Sequence, residues 1–341
     1  MNESLTGMLR CPVTRTKLTL KIIKASSAVE EAILFADKDW FYPVINGVPR
    51  LNVEAFIDYA DFLMQHMDDY PLRKKELETK YPELISYVIK KNKRTKESFA
   101  KEWKVYNYNK DKTWDADDEG MLQKFLTETG ETVESLDNKI IFDAGCGNGK
   151  LDILLGNTGA HVIAMDFTDS FNNAIKNNSY LTIHFIQGDI QFPPVVFQLF
   201  DIVHCSGVLI HTNNSELSFS CIEPTVKPGG KLSVWVYHHR KDWLHNFFNA
   251  VRTITSRWPL SIQYYFYCIT IFPLSYIIKR LKRNKQNRRE MMVSILDWFT
   301  PEFRREHGDT EVASWFYKRN YTEVKKTTNE LFGFNTTGTK Q

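Results

Sequence analysis

An apolar segment that runs directly into a glycine-rich loop constrains the fold of this chain more than any other feature. Residues 140–144 read as a buried strand, and glycines follow it at alternate positions, Gly145, Gly147 and Gly149. Glycine permits positive φ and lets the backbone approach a ligand that sits above a strand end. A dinucleotide loop would read G-x-G-x-x-G, but Lys150 stands where its last glycine would fall. The loop therefore predicts a nucleoside-cofactor site of a different kind.

Four further apolar segments follow this loop. The second segment of the series, residues 160–165, ends on Asp166, where an acidic side chain would bind the ribose hydroxyls of a nucleoside. The third ends on Asp189, the fourth runs through Cys205, and the fifth follows a turn at Pro228. Strands that alternate with helices predict an α/β fold with a parallel sheet, whose ligand lies above the carboxyl edge.

The order of these parts resembles that of the class I S-adenosylmethionine-dependent methyltransferases, from about Phe99 to the C-terminus. The resemblance implies a Rossmann-like, seven-stranded sheet with helices on both faces, closed by a terminal antiparallel pair near residues 321–325 and 331–335. It also implies S-adenosylmethionine as the cofactor. The predicted domains are a β module (1–53), a helical linker or lid (54–130), the methyltransferase core (131–237 and 301–341) and a helical cap insertion (238–300).

Carried over residue by residue, the resemblance assigns cofactor contacts along the carboxyl edge. The expected contacts are Asp143, Ala144, Gly145, Cys146, Gly147, Asn148 and Gly149 for the methionine half, Asp166 and Phe167 for the ribose, Gly188, Asp189 and Ile190 for the adenine, Ser206, Gly207 and Val208 for the floor, and Phe99, Trp103 and Tyr106 on a covering aromatic helix. Taken singly, the acidic residues could be helix caps or turn formers. Their order along the chain indicates cofactor binding.

Histidines are the candidate bases. Methyl transfer is an in-line displacement, so an enzyme aligns the nucleophile, methyl group and sulfur, and excludes water. An oxygen or nitrogen nucleophile also needs its proton removed. His211 follows the fourth strand and is the first candidate; His238 and His239 follow the fifth, and His307 lies in a segment that resembles the substrate side of related enzymes. A structural role is the alternative for each.

The N-terminal module resembles the small Trm112-like zinc-ribbon domain that precedes some methyltransferases. A turn at Asn46 and Gly47 joins two of its predicted strands. A zinc ribbon needs C-x-x-C pairs for tetrahedral thiolate ligation, yet Thr14 occupies the position that would complete a pair with Cys11. We therefore predict a module without metal that is held by apolar packing.

The insertion contains an uncharged stretch, residues 258–278, followed by a basic run that begins at Lys279. A membrane span needs about 20 apolar residues, and Gln263 and Pro273 interrupt this stretch. Peripheral contact with a membrane through residues 258–289 is the second interpretation. The third, which the resemblance favours, is a cap that turns an aromatic face toward a hydrophobic substrate.

Composition agrees with an enzyme of one large domain and an accessory one. The chain has 341 residues, a formal charge of +3 and five scattered cysteines, which favour a reducing cytoplasm, with peripheral membrane contact as an addition. We expect a methyltransferase for a small, hydrophobic or bulky molecule of natural-product, quinone, lipid or glycoconjugate type. An RNA methyltransferase and a non-catalytic, membrane-recruited scaffold remain alternatives, although no nucleic-acid partner is expected; the sequence does not indicate an oligomeric state.

Overall fold

A computed structural model describes residues 1–37, 39–113 and 116–341, without the side chain of residue 244. The strands of these ranges are β1 (Leu18–Ala25), β2 (Val29–Ala36), β3 (Trp40–Ile45), β4 (Val48–Pro49), β5 (Ile140–Ala144), β6 (His161–Asp166), β7 (Ile183–Gln187), β8 (Phe200–Ser206), β9 (Val226–Tyr237), β10 (Tyr321–Asn329) and β11 (Gly333–Lys340). The helices are α1 (Ala55–Asp58), α2 (Ala60–His66), α3 (Tyr70–Lys80), α4 (Pro82–Val105), α5 (Asp118–Thr129), α6 (Lys150–Gly156), α7 (Asn172–Asn177), α8 (Ser215–Ile222), α9 (Trp243–Thr255), α10 (Leu260–Ile269), α11 (Ile271–Leu281), α12 (Arg288–Phe299) and α13 (Asp309–Tyr317).

The main sheet has seven strands in the order β10-β11-β9-β8-β5-β6-β7. Strands β9, β8, β5, β6 and β7 are parallel, whereas β11 is antiparallel to both β9 and β10. The predicted α/β, Rossmann-like fold is thereby confirmed. The chain leaves β5 for β6 on one side and returns to β8 on the other, so the sheet has its topological switch point between β5 and β8. In open α/β sheets, ligands bind in the crevice at this point.

The N-terminal module is a four-stranded antiparallel sheet in the order β1-β2-β3-β4. Its hairpin turn lies where the sequence predicts it, because Asn46 and Gly47 have φ angles of 52° and 74°, the positive values that a two-residue turn requires. Cys11 is buried, with its Sγ 3.3 Å from the Tyr42 hydroxyl. Among the described residues no group of three His, Cys, Asp or Glu side chains could hold a metal ion. The metal-free module stays a prediction.

The module joins the edge of the main sheet beside β7. The backbone of Arg50 forms a parallel bridge with Gln187, and the Leu51 amide donates to the Gln187 carbonyl at 2.8 Å. The Tyr59 hydroxyl donates to the Gln187 side chain at 2.5 Å. These contacts hold the module and the start of the linker against the adenine side of the predicted site.

In the linker, Pro71 and Pro82 begin helices and do not interrupt them. Both prolines stand in the first turn of a helix, where a missing N–H costs nothing, and α4 then continues for 24 residues. Helix α5 packs on β9, β10 and β11, so the helical layer of the core begins before residue 131. The long helix α4 is therefore able to reach from the module to the insertion.

The insertion has a small core of its own. Helices α10, α11 and α12 bury Tyr267, Ile271, Leu296 and Phe299 together, and α12 also packs on α4. Among the described residues, no single helix is long and apolar enough to cross a membrane; Leu260–Ile269 and Ile271–Leu281, bent by 44°, pass that test only as a pair. The cap is thus attached to the core mainly through α4.

Candidate active site

A cavity of about 650 Å³ opens at the carboxyl edge of the sheet, above the switch point between β5 and β8. Its volume lies within the range typical of small-molecule sites, about 300 to 1,000 Å³. Of the predicted residues, those that line it are Phe99, Trp103, Asp143, Gly145, Cys146, Gly147, Asn148, Asp166, Phe167, Gly188, Asp189, Ile190, Ser206, Gly207, Val208 and His211. Ala144, Gly149 and Tyr106 lie behind this wall.

The glycine loop can adopt its conformation only without side chains. Gly145, Gly147 and Gly149 have φ angles of 117°, 54° and 73°. A Cβ atom at Gly145 would lie 2.1 Å from a methyl carbon of Val208, and one at Gly149 would lie 2.7 Å from the Ala174 Cβ. Substitution at either position would therefore require both backbone strain and displacement of the neighbouring side chain.

Asp166 ties this loop to β6. One of its carboxylate oxygens accepts the Gly147 amide at 3.0 Å, and the other accepts the amide and hydroxyl of Thr168 at 2.8 and 2.9 Å. Burial raises the pKa of Asp166 to about 6, although these hydrogen bonds act against the rise. An ionised carboxylate has about four acceptor positions, so one remains for a further donor from the cavity.

Asp189 is held by two residues of α4 that the sequence analysis did not assign to the site. The Lys91 ammonium lies 2.7 Å from its carboxylate, and the Asn92 amide donates to it at 3.3 Å. The Asp189 side chain is 8% exposed and that of Lys91 is 10% exposed. The predicted adenine end of the cavity therefore contains a buried ion pair, and α4 forms its lid.

Below the glycine loop, His204 is clamped between two buried carboxylates. Its Nδ1 lies 2.9 Å from Asp143 and its Nε2 lies 2.9 Å from Glu128. Burial disfavours the charged ring, but the two carboxylates outweigh it and raise the pKa of His204 to about 10. The imidazolium thus neutralises part of the negative charge of Asp143 at neutral pH.

On the opposite side of the cavity, His211 faces Asp297. The His211 Nδ1 donates to the Phe303 carbonyl at 3.0 Å, which leaves Nε2 unprotonated in the neutral ring, 3.7 Å from an Asp297 oxygen. Burial lowers the pKa of His211, and Asp297 opposes this effect. The Tyr237 hydroxyl donates to the other Asp297 oxygen at 3.0 Å. Two acceptors, Nε2 of the neutral ring and a carboxylate oxygen, therefore face each other.

Glu102 of α4 adds a third polar group to this part of the cavity. Its side chain is buried, and neither carboxyl oxygen has a hydrogen-bond partner among the described residues. Burial raises the pKa of Glu102 well above its usual range, and Asp297 and Asp166 raise it further. The neutral form of this carboxyl is therefore favoured over the carboxylate.

The other three predicted bases do not reach the cavity. His307 is held by Glu311 at 2.9 Å and Ser215 at 3.0 Å, so both of its ring nitrogens are occupied. His238 bonds the Leu331 carbonyl at 2.8 Å, and the side chain of His239 is 62% exposed. After β9 ends at Tyr237, the His238 amide donates to the Phe332 carbonyl, and the backbone of His238 forms a parallel bridge with His307 before the chain enters α9. Of the four predicted histidines, the structure brings only His211 to the cavity wall.

The part of the chain that contains the glycine loop also matches known proteins. Residues 142–234 match the family described as "Methyltransferase domain". The chain is 31% identical over 118 residues to the mitochondrial ubiquinone biosynthesis O-methyltransferase of Schizosaccharomyces pombe (32% of this chain, 41% of that protein). It is 28% identical over 124 residues to the malonyl-[acyl-carrier protein] O-methyltransferase of Buchnera aphidicola (36% of this chain, 49% of that protein). The chain spans less than half the length of these curated relatives.

Among solved structures, magnesium protoporphyrin IX methyltransferase from Synechocystis PCC 6803, with bound S-adenosylhomocysteine, is 13% identical. The alignment covers 73% of this chain and 98% of that chain, with a TM-score of 0.44.

The clamp on His204 gives a stability prediction. His204→Gln should destabilise the fold by about 3 kcal/mol at pH 6, because it removes the buried cation between Asp143 and Glu128, of which Glu128 retains Lys124 at 3.6 Å. The pKa of His204 is higher in the folded chain, about 10, than its ordinary 6.5, so the stabilisation is complete below pH 6.5 and is lost as pH rises toward 10. Denaturant unfolding should show that the difference in free energy of unfolding between wild type and variant decreases between pH 6 and pH 9. A difference that is independent of pH would contradict a charged His204.

Proposed function

We propose that this chain, whose residues 142–234 form a methyltransferase domain, is a class I S-adenosylmethionine-dependent methyltransferase that acts on a small, hydrophobic or bulky molecule. The observation that carries the proposal is the convergence of the glycine loop, Asp166 and Asp189 on one cavity at the switch point of the sheet. These groups occur in the order along the chain that a nucleoside cofactor requires. A scaffold protein would not need the side-chain-free loop.

The residues present fit this cofactor. Asp166 has an acceptor position left for the ribose, and Ile190 and Asp189 are placed to contact the adenine. A Cβ atom at Gly207 would meet nothing within 4 Å, so this glycine borders open space where the methionine half would extend. The Trp103 ring lies 3.0 Å from where a Cβ of Gly147 would be, and it covers the loop.

Bound S-adenosylmethionine supplies an electrophilic methyl group, and the described side chains can prepare the nucleophile. An acceptor O–H or N–H can donate to the His211 Nε2, which lies 3.7 Å from an Asp297 oxygen. His211 would take the proton of the acceptor, Asp297 would stabilise the imidazolium that forms, and the cofactor would leave as S-adenosylhomocysteine. The Tyr237 hydroxyl would hold Asp297 in this orientation, and the Glu102 carboxyl lines the same cavity.

Aromatic side chains support a hydrophobic acceptor. Beyond the acidic groups, the cavity is lined by Trp235, Tyr237, Trp298, Phe303 and Phe332. Flat apolar walls favour a ring or an extended lipid-like body, and burial excludes water from the reacting atoms. Relatives named for ubiquinone biosynthesis and for an acyl-carrier protein agree with an acceptor of quinone or lipid type.

The remaining parts of the proposal concern the whole chain. We infer that the N-terminal sheet is a Trm112-like module without metal, and that the enzyme works in the cytoplasm without a nucleic-acid partner. The contacts of Arg50 and Leu51 with Gln187 support a role for the N-terminal module in holding the adenine end of the site.

Cofactor binding is tested first. Asp166→Asn removes the charge that the ribose would meet, and we expect it to weaken binding of S-adenosylmethionine and S-adenosylhomocysteine at least about tenfold, the loss of one charge-assisted hydrogen bond. Isothermal titration calorimetry measures the affinity, with NADH as a negative control. Asp169→Asn is the matched variant, because Asp169 is a nearby exposed aspartate. Equal affinities in both variants would remove Asp166 from the ribose site.

The base is tested with an acceptor selected from a panel of lipophilic phenols, quinols and amines. His211→Gln should lower kcat by about 10² to 10⁴ while cofactor affinity stays unchanged. In wild type, kcat should rise with pH through a pKa below 6.5, because burial lowers the pKa of His211. Asp297→Asn removes the charge that opposes this effect, so its pH profile should move to lower pH. Exposed His239→Gln is the control; full activity of His211→Gln would exclude His211 as the base.

A further inference from the structure

The first helix of the insertion exposes an apolar stripe. On α9, Trp243, Phe247 and Ile254 are 77%, 54% and 64% exposed. Their spacings of four and seven residues place them on one helix face. The other side of α9 packs on the protein, where Thr255 and His245 are buried. The apolar face of α9 is therefore turned to solvent.

The next two helices repeat the pattern. On α10 the exposed apolar residues are Ile262, Tyr265 and Ile269, and on α11 they are Leu274, Ile277, Ile278 and Leu281. Their opposite faces are anchored, because Gln263, Tyr267 and Ile271 are buried. Of the twenty-two exposed large apolar side chains in the described residues, ten lie within residues 243–281. Exposed apolar side chains concentrated in one segment in this way mark an interaction site.

Charge identifies the partner. Residues 243–289 contain nine Arg and Lys residues and no Asp or Glu, so this segment carries +9. The whole chain carries only +3, so the difference, −6, is the charge of all other residues. Several of the cations are exposed at the end of the apolar stripes, among them Lys282 and Lys285. Apolar stripes flanked by cations complement a surface that combines hydrocarbon with negative charge.

We propose that α9, α10 and α11 bind the surface of an anionic phospholipid bilayer. The stripes lie in the boundary between headgroups and acyl chains, and the cations contact the phosphates. The cavity reaches this region, since Lys279, Asn284 and Gln286 are among its lining residues. A membrane-dissolved acceptor could therefore enter the cavity from the bilayer, a step that rests on the proposed function.

Vesicle flotation tests this surface. The full chain should float with vesicles of phosphatidylcholine and phosphatidylglycerol, and bind vesicles of phosphatidylcholine alone more than about tenfold more weakly. High salt should reduce binding to the anionic vesicles. Phe247→Ser with Ile254→Ser, and separately Lys282→Glu with Lys285→Glu, should each weaken binding at least about tenfold, since each lysine near such a surface contributes a factor of about five.

Matched controls come from exposed positions elsewhere. Leu181→Ser, at a side chain that is 83% exposed, and Lys17→Glu with Lys21→Glu should bind as wild type does. Titration with S-adenosylhomocysteine without vesicles reports the cofactor site and should be the same in all variants. If wild type does not bind S-adenosylhomocysteine, the proposed function is wrong, but the proposed membrane-binding surface is not affected.

Three results would refute the proposal that α9, α10 and α11 bind a bilayer. The first is absence of flotation, and the second is flotation that the stripe variants do not alter. The third is a stable dimer in analytical ultracentrifugation that Phe247→Ser with Ile254→Ser dissociates, which would assign the stripes to a second copy of the chain.

Discussion

The glycine-rich loop after β5 closes onto the end of the neighbouring strand β6, and the rest of this structure depends on this contact. The amides of Gly145 and Cys146 donate to the Met165 carbonyl at 2.8 and 2.9 Å, and the Gly147 amide donates to Asp166. Val208 fills the space that a Cβ at Gly145 would need. Because the loop is fixed on both sides, β5, β6 and β8 present their carboxyl ends to one cavity. The nucleoside groups, the candidate base and the aromatic walls are all positioned relative to this clamp.

The buried acids around the cavity are stabilised in three different ways. Asp143 faces the imidazolium of His204, Asp189 faces the ammonium of Lys91, and burial favours the neutral form of Glu102. Desolvation would make unpaired carboxylates costly, so each solution removes charge from the interior. Asp166 and Asp297 keep acceptor positions toward the cavity. The negative charge that remains is thus concentrated where donors of a cofactor and an acceptor would bind.

Much of the core could be predicted from sequence, because strand ends and glycines are local signals. The sheet, the loop and the residues at 166, 189 and 206 to 208 follow from patterns within a few residues of each other. Partners that come from distant segments could not be predicted. Lys91 and Glu102 lie on α4, whose charged residues are typical of a solvated helix face. His204 lies within a strand, and only the folded structure brings Glu128 to its ring. The same limitation explains His238, His239 and His307, since only the folded chain shows that His239 is exposed and that the rings of the other two bond elsewhere.

The central claim is that the clamped loop holds S-adenosylmethionine with its methyl group directed toward His211 and Asp297. A crystal structure of the chain with S-adenosylhomocysteine tests it most directly. We expect the ribose hydroxyls within hydrogen-bond distance of Asp166, the adenine beside Ile190 and the sulfur facing His211 and Asp297. A nucleoside bound elsewhere, or a sulfur directed away from these two residues, would show that the loop does not hold the cofactor in this way.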